Sequence, residues 1–266
     1  MKSNKTGVLI VNLGTPDHYS VPDVRKYLRE FLMDGRVIDI PHFNRWLLVN
    51  LIIAPFRAPK SAKVYQELWT EKGSPLMFYG VEIEKKLQEV LGDDFIVKLG
   101  MRYQNPSIKT ALERLQGSNI SSLIVFPLFP QYASATTGSI HQKVMEQIKE
   151  WENIPELHFI NGYCNNEGFI KAFAERAREK LKDKEFDLML FSYHGLPERQ
   201  ILKASVDNFC ELNDCCSNYG AHNQFCYRAQ CYETTRLLAE ELGIAKEKYQ
   251  VVFQSRLGKS PWIQPY

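Results

Sequence analysis

Gly7-Val8-Leu9-Ile10-Val11-Asn12-Leu13 is an almost unbroken apolar run, closed by Gly14-Thr15-Pro16. A strand with one solvated face alternates apolar and polar residues, whereas a continuous apolar run belongs to a strand buried on both faces, as strands of parallel sheets are. Ser20-Val21-Pro22-Asp23 then offers an N-cap hydroxyl, a proline in the first helical turn and a carboxylate three residues on. Val24, Tyr27, Leu28 and Phe31 follow on one helical face. The chain therefore opens as strand, turn and helix.

The same alternation continues outward. Strands are predicted near Phe95–Met101, Ser121–Leu128, Leu157–Tyr163, Phe186–Tyr193 and Tyr249–Ser255. Helices are predicted near Val81–Leu91, Ser107–Gln116, Ser139–Trp151, Glu167–Leu181 and Glu233–Leu242. Parallel neighbours need crossover connections, so this order predicts an α/β fold of two Rossmann-like, doubly wound domains with mostly parallel sheets. About three strands fall to each half, with residues 1–152 forming the first domain and 153–266 the second.

The chain has 266 residues, with 33 basic and 31 acidic side chains interspersed and a formal net charge of +2. That balance gives no footprint for nucleic acid. Lys2 and Lys5 precede an apolar run too short for a secretory signal or a membrane span, which predicts a cytoplasmic protein. Gly14 has no second glycine two residues on, and no Walker sequence occurs, so nucleotide chemistry is disfavoured.

Three stretches stand out against this scaffold. Trp46-Leu47-Leu48-Val49-Asn50-Leu51-Ile52-Ile53-Ala54-Pro55-Phe56, followed by Arg57 and Lys60, reads first as a buried core helix. Its alternative is an apolar lip over a greasy ligand, with the basic groups taking carboxylates; peripheral contact with a membrane also stays open. Phe191-Ser192-Tyr193-His194-Gly195-Leu196-Pro197-Glu198-Arg199 follows the apolar Leu188-Met189-Leu190 and places His194 at the carboxyl edge of a buried strand. Ligands bind at that edge of open α/β sheets, and histidine titrates near neutrality. Finally, Cys210, Cys215, Cys216, Cys226 and Cys231 follow a C-x4-C-C-x9-C-x4-C spacing, five of the six cysteines within one polar segment. In a reducing compartment this reads as a metal centre, and four thiolates suit zinc or an iron-sulfur cluster alike. Free or redox-active thiols are the third reading. The polar segment cannot bury enough apolar surface to order itself, and ligation would supply that order. Adjacent Cys215 and Cys216 project in different directions, so one of the two is expected to be spare, with Cys210, Cys226 and Cys231 completing the set. His222 is a weaker ligand candidate, and Cys164 stands apart.

Gly14-Thr15-Pro16, Gly73-Ser74-Pro75, Arg102-Tyr103, Pro130-Gln131-Tyr132-Ala133-Ser134-Ala135-Thr136-Thr137-Gly138, Ser192-Tyr193-His194-Gly195-Leu196-Pro197 and Phe253-Gln254-Ser255-Arg256-Leu257-Gly258-Lys259-Ser260-Pro261-Trp262 together resemble the ferrochelatases, in order over nearly the whole chain. The resemblance implies two chelatase-type Rossmann-like domains with a porphyrin cleft between them. It implies insertion of ferrous iron into protoporphyrin IX to give protohaem, with porphyrin and iron as the partners. It makes His194 the active-site histidine, as acceptor of pyrrole protons or as ligand to the substrate iron. Arg57, Tyr65 and Ser74 match positions that hold the propionates, Arg102 and Tyr103 a pair on the metal-entry side, and Leu13 and Trp262 apolar contacts to the macrocycle.

Two departures from the family accompany the match. Family members continue beyond Tyr266 into further elements that carry a second active-site group, a glutamate, so the second domain is expected to be incomplete and the chain part of a longer product. Residues 203–231 form a cysteine-rich insertion, for which the resemblance favours a 2Fe-2S cluster, with zinc as the alternative. Two other function classes stay in view: a related chelatase acting on coproporphyrin, cobalt or nickel, and a non-enzymatic sensor of iron or haem.

Overall fold

The computed structural model describes residues 5–182, 184–256 and 260–266. Lys2, and Leu257, Gly258 and Lys259 of the last family-like segment, lie outside the described residues. The chain forms two compact units, one comprising residues up to Phe129 together with Ser134–Asn161, the other Pro130–Ala133 with Gly162–Tyr266.

The first unit is built on β1 (Thr6–Gly14). It is followed by α1 (Val21–Leu32), α2 (His42–Leu47), a π-helical turn at Leu48–Ile53, α3 (Ala54–Leu68), α4 (Pro75–Leu91), β2 (Phe95–Tyr103), α5 (Ile108–Gln116), β3 (Ser122–Pro127), α6 (Ser139–Ile148) and β4 (Glu156–Phe159). The four strands make one parallel sheet in the order β2-β1-β3-β4. Successive side chains of β1 point to opposite faces. Leu9 and Val11 meet Ile108, Leu112 and Leu115 of α5 and Ile140, Val144 and Ile148 of α6. Val8 and Ile10 join Val97, Leu99 and Met101 under Met77, Leu87 and Leu91 of α4. Both faces are covered, which is why β1 is apolar throughout.

The end of β1 depends on one glycine. Gly14 has φ +110, and a Cβ there would lie 2.0 Å from the carbonyl oxygen of Tyr103. Only glycine lets the ends of β1 and β2 approach so closely in that conformation. α1 then starts as its sequence requires: the Ser20 hydroxyl accepts from the Asp23 N–H at 3.3 Å and donates to the Asp23 carboxylate at 2.6 Å.

The second unit contains α7 (Glu167–Leu181), β5 (Met189–His194), α8 (Glu198–Lys203), a 3-10 turn at Asp214–Cys216, α9 (Tyr227–Leu242) and β6 (Tyr249–Gln254). β5 and β6 pair in parallel, with His194 opposite Gln254. Ile201, Cys231, Val251, Phe253 and Ile263 form one core, and Ile170, Ala174 and Leu238 a second.

Five expectations are corrected. The units divide after Asn161 rather than at residue 152, because β4 pairs with β3 from Ser122–Glu156 onward and so belongs to the first sheet. The described strands therefore split four and two rather than three and three. α4 begins at Pro75 and α9 at Tyr227, earlier than the apolar periodicity indicates. The stretch from Trp46 to Phe56 is not a buried core helix: Val49 and Ala54 are buried, but Leu51, Ile52 and Phe56 are 56%, 57% and 75% exposed. Nor is β5 buried on both faces, since Leu190 and Ser192 are exposed while Phe191 packs against the α7 and α9 core.

Candidate active site

His194 ends β5, exposed at the carboxyl edge of the parallel pair. Its Nδ1–H donates to the Gly195 carbonyl at 2.6 Å, since a carbonyl can only accept. The neutral ring therefore keeps its lone pair on Nε2. The loop carrying it is tightly held: Gly195 N–H donates to Gln254 O at 2.6 Å, Ile263 N–H to Leu196 O at 3.0 Å, and Glu198 N–H to Pro261 O at 3.1 Å. Trp262 bridges Pro197 and is 9% exposed, and a Cβ on Gly195 would sit 3.4 Å from its ring. Trp262 and His194 thus share one corner of the second unit.

The other candidate residues lie in the first unit. Arg57 is exposed on α3, and its charge acts on Tyr65 two turns later. Burial raises the Tyr65 hydroxyl above its ordinary pKa, against the opposing effects of a hydrogen bond with Tyr27 and of Arg57. Leu13, half-buried, packs against the same core cluster as Tyr65. Ser74, buried before α4, accepts from the Thr15 hydroxyl at 3.0 Å. It lines a basin of about 290 Å³ with Thr15, Asp17, Trp69, Lys72 and Asn105, in which Arg57 and Tyr65 take no part.

Arg102 and Tyr103 form a different arrangement, centred on a carboxylate that nothing in the sequence singles out. Arg102 Nη2 donates to Asp34 Oδ2 at 2.6 Å and its Nε to Ser139 Oγ at 2.6 Å. The Tyr103 hydroxyl donates to the same Asp34 oxygen at 2.9 Å, and the Ser139 hydroxyl donates to it as well. Burial would raise the Asp34 pKa, but the bonds from Ser139, the Arg36 N–H, Arg102 and Tyr103 outweigh it and leave the carboxyl below its usual value. Tyr103 is fully buried, with its hydroxyl turned to Asp34. Asp34 and Ser139 are separated by 105 residues, a contact no local pattern reveals.

The cysteine segment folds around a small pocket lined by Cys210, Cys215, Cys216 and Cys226, with His222 and Asn223. Cys210 hydrogen-bonds with Cys215, and Cys216 with Cys226. The bond from Cys216, with the backbone N–H groups of Ala229 and Arg228, lowers the Cys226 thiol; that same bond, together with burial, raises Cys216. Asn223 ties the loop by donating to Cys215 O at 2.9 Å and Asn218 O at 2.8 Å. Both members of the Cys215-Cys216 pair face this pocket. Cys231, expected among the ligands, is fully buried with Val251, Phe253 and Ile263 in a cluster against which Cys210 and Cys226 also pack. Among the described residues no three His, Cys, Asp or Glu side chains already converge on one point; the thiols adjoin as two pairs.

One unit has a parallel sheet covered on both faces and the other a histidine at a strand edge, the elements of a chelatase-type, Rossmann-like α/β protein. The family model for ferrochelatase matches residues 5–266. The ferrochelatase of Coxiella burnetii (strain Dugway 5J108-111) is 46% identical over 265 residues, covering 99% of this chain and 74% of that protein. That of Legionella pneumophila (strain Corby) is 47% identical over 262 residues, covering 98% and 77%. The chain belongs to the ferrochelatase family, the lyases that insert ferrous iron into a porphyrin. No helix among the described residues is long and apolar enough to cross a membrane.

Proposed function

We propose that this chain inserts ferrous iron into protoporphyrin IX and that His194 takes up the pyrrole protons. The observation that supports this role is the His194 tautomer: with Nδ1–H held by Gly195 O, Nε2 is left as the basic atom at an exposed strand end. Two N–H protons must leave the macrocycle as the metal enters, and no electron is exchanged. A planar ring hides its nitrogen lone pairs, so a rigid apolar surface that fits the bent ring better than the flat one lowers the barrier.

In the first unit, Arg57, Tyr65 and Ser74 are proposed to hold the propionates and Leu13 to touch the ring. Arg102 is proposed to face incoming iron, with Tyr103 holding the Arg102–Asp34 pair from below. In the second unit Trp262 is proposed as an apolar contact. The exposed Leu51, Ile52 and Phe56 favour the reading of an apolar lip.

For the cysteine pocket we propose a 2Fe-2S cluster held by Cys210, Cys215, Cys216 and Cys226. Two adjoining thiol pairs suit a centre in which each of two irons takes two thiolates, more than one zinc ion that needs four sulfurs at a single point. Arg228, 3.4 Å from Cys216 Sγ, favours its thiolate, against the larger effects of the Cys226 bond and burial that raise that thiol. Six free cysteines fit a reducing compartment and hence the cytoplasm.

The test is anaerobic insertion measured by absorbance, with iron or cobalt supplied against protoporphyrin IX or coproporphyrin III. Protohaem formation is expected to be fastest. Preference for coproporphyrin or cobalt would overturn the substrate assignment, and tight porphyrin binding without turnover would favour a sensor.

A further inference from the structure

The face of α1 opposite its buried Val24, Tyr27, Leu28 and Leu32 borders a basin of about 490 Å³, lined by Pro22, Arg25, Lys26, Arg29, Glu30 and Gln104. None of Leu13, Arg57, Tyr65, Ser74 and Arg102 lines it, so it lies apart from the residues proposed for porphyrin and iron in the same unit. Its volume falls in the range of about 300–1,000 Å³ that small-molecule sites occupy.

Three of the lining side chains are cations, and they are not equivalent. Lys26 pairs with Asp17 at 3.3 Å, and Asn105 holds that carboxylate by donating to both of its oxygens at 3.0 Å. Glu30 accepts from the Gln104 N–H at 3.0 Å and from the Gln104 side-chain amide. Among the described residues Arg25 and Arg29 form no ion pair, and Arg25 Nε is buried without a hydrogen-bond partner. Like charges one helical turn apart repel, and an anion held between them removes that cost. Guanidinium forks match phosphate oxygens two at a time.

Gln104 supplies a second kind of group. It is 6% exposed and adopts φ +66, a conformation that disfavours residues with a Cβ. A carboxylate only accepts, so the amide nitrogen must face Glu30. Gln104 Oε1 is thereby turned away from Glu30, buried, and left without a donor. Buried acceptors are normally paired, and this one belongs to a side chain of the basin wall.

We infer that the basin binds a small phosphomonoester bearing a hydroxyl, with Arg25 and Arg29 on the phosphate and Gln104 Oε1 accepting from the hydroxyl. The phosphate supplies the counter-charge that the two guanidiniums lack, and the hydroxyl supplies the donor that Gln104 lacks. A bare anion answers only the first need. Lys26 and Glu30 are already engaged with Asp17 and Gln104 and form the rim.

The test is titration calorimetry of the complete protein at low ionic strength, with glycerol 3-phosphate as the probe against inorganic phosphate, glycerol and succinate. Glycerol 3-phosphate is expected to bind most tightly and glycerol alone to give no heat. Arg25→Gln and Arg29→Gln should each weaken it about tenfold or more, the usual worth of a charge-assisted hydrogen bond. Gln104→Leu should bring its affinity down to that of inorganic phosphate, and Arg57→Ala should leave it unchanged. No heat in wild type, or succinate binding as tightly, overturns the site. Inorganic phosphate binding as tightly as the ester overturns the role of Gln104 and makes free phosphate the ligand. Weakening by Arg57→Ala as large as that by Arg29→Gln moves the binding to the proposed propionate side and overturns the basin as well. Arg29 is exposed on α1, so its variant keeps the test decisive even if Gln104→Leu does not fold.

Discussion

Arg102 and Asp34 pair at 2.6 Å across 68 residues of sequence, and Tyr103 and Ser139 donate to the same carboxylate. The pair is nearly closed to solvent, with side-chain exposures of 14% and 8%. Breaking a buried ion pair leaves its partner uncompensated. Asp34→Asn is therefore expected to cost about 3 kcal/mol at neutral pH. Because the folded pKa lies below the usual value, this stabilisation is fully present above the unfolded aspartate pKa of about 3.9 and fades as pH falls through the folded one. Urea midpoints of wild type and variant should converge as pH is lowered from 7 to 3; a constant gap would show that the charge of Asp34 is not what matters.

His194→Ala should lower kcat by about a hundredfold or more, the usual contribution of a positioned general base. Porphyrin binding, followed by absorbance, should persist. Near-normal turnover would remove His194 from the chemistry.

Arg57→Ala should raise KM for protoporphyrin roughly tenfold, with kcat little changed, since ground and transition states share a carboxylate contact. A porphyrin lacking propionates should bind both proteins equally. Wild type favouring that porphyrin over protoporphyrin would contradict the assignment.

The four-thiol set separates two cysteine variants. Cys226→Ser should lose iron and acid-labile sulfide together with the visible charge-transfer absorbance, whereas Cys231→Ser should retain all three. Loss in both would restore Cys231 to the ligands.

Gly14→Ala should destabilise the first unit by more than about 2 kcal/mol, because positive φ is strained for alanine and its Cβ has no room against Tyr103 O. A thermal melt unchanged by the substitution would mean that the backbone relaxes there freely.

Much of this protein was decided by local chemistry and is legible as such. Val8 to Val11 are apolar because both faces of β1 are covered, so a continuous run could be read as a central parallel strand. Ser20 caps α1 and Asn166 caps α7 through side chains that lie within three residues of their partners. His194 could be placed at a strand end because Leu196-Pro197 cannot continue the ladder. What the sequence could not determine are relationships that cross the chain. β4 joins the first sheet because its backbone finds β3, a choice between sheets that its short, half-exposed pattern does not encode. Asp34 is indistinguishable from a surface aspartate until folding brings Arg102, Tyr103 and Ser139 around it. Sequence makes one of Cys215 and Cys216 the expected spare, whereas folding turns both to one pocket with Cys210 and Cys226 and buries Cys231 completely in the adjoining core. Hydrogen bonds and burial at such distances depend on which elements pack together, and only the tertiary structure settles that.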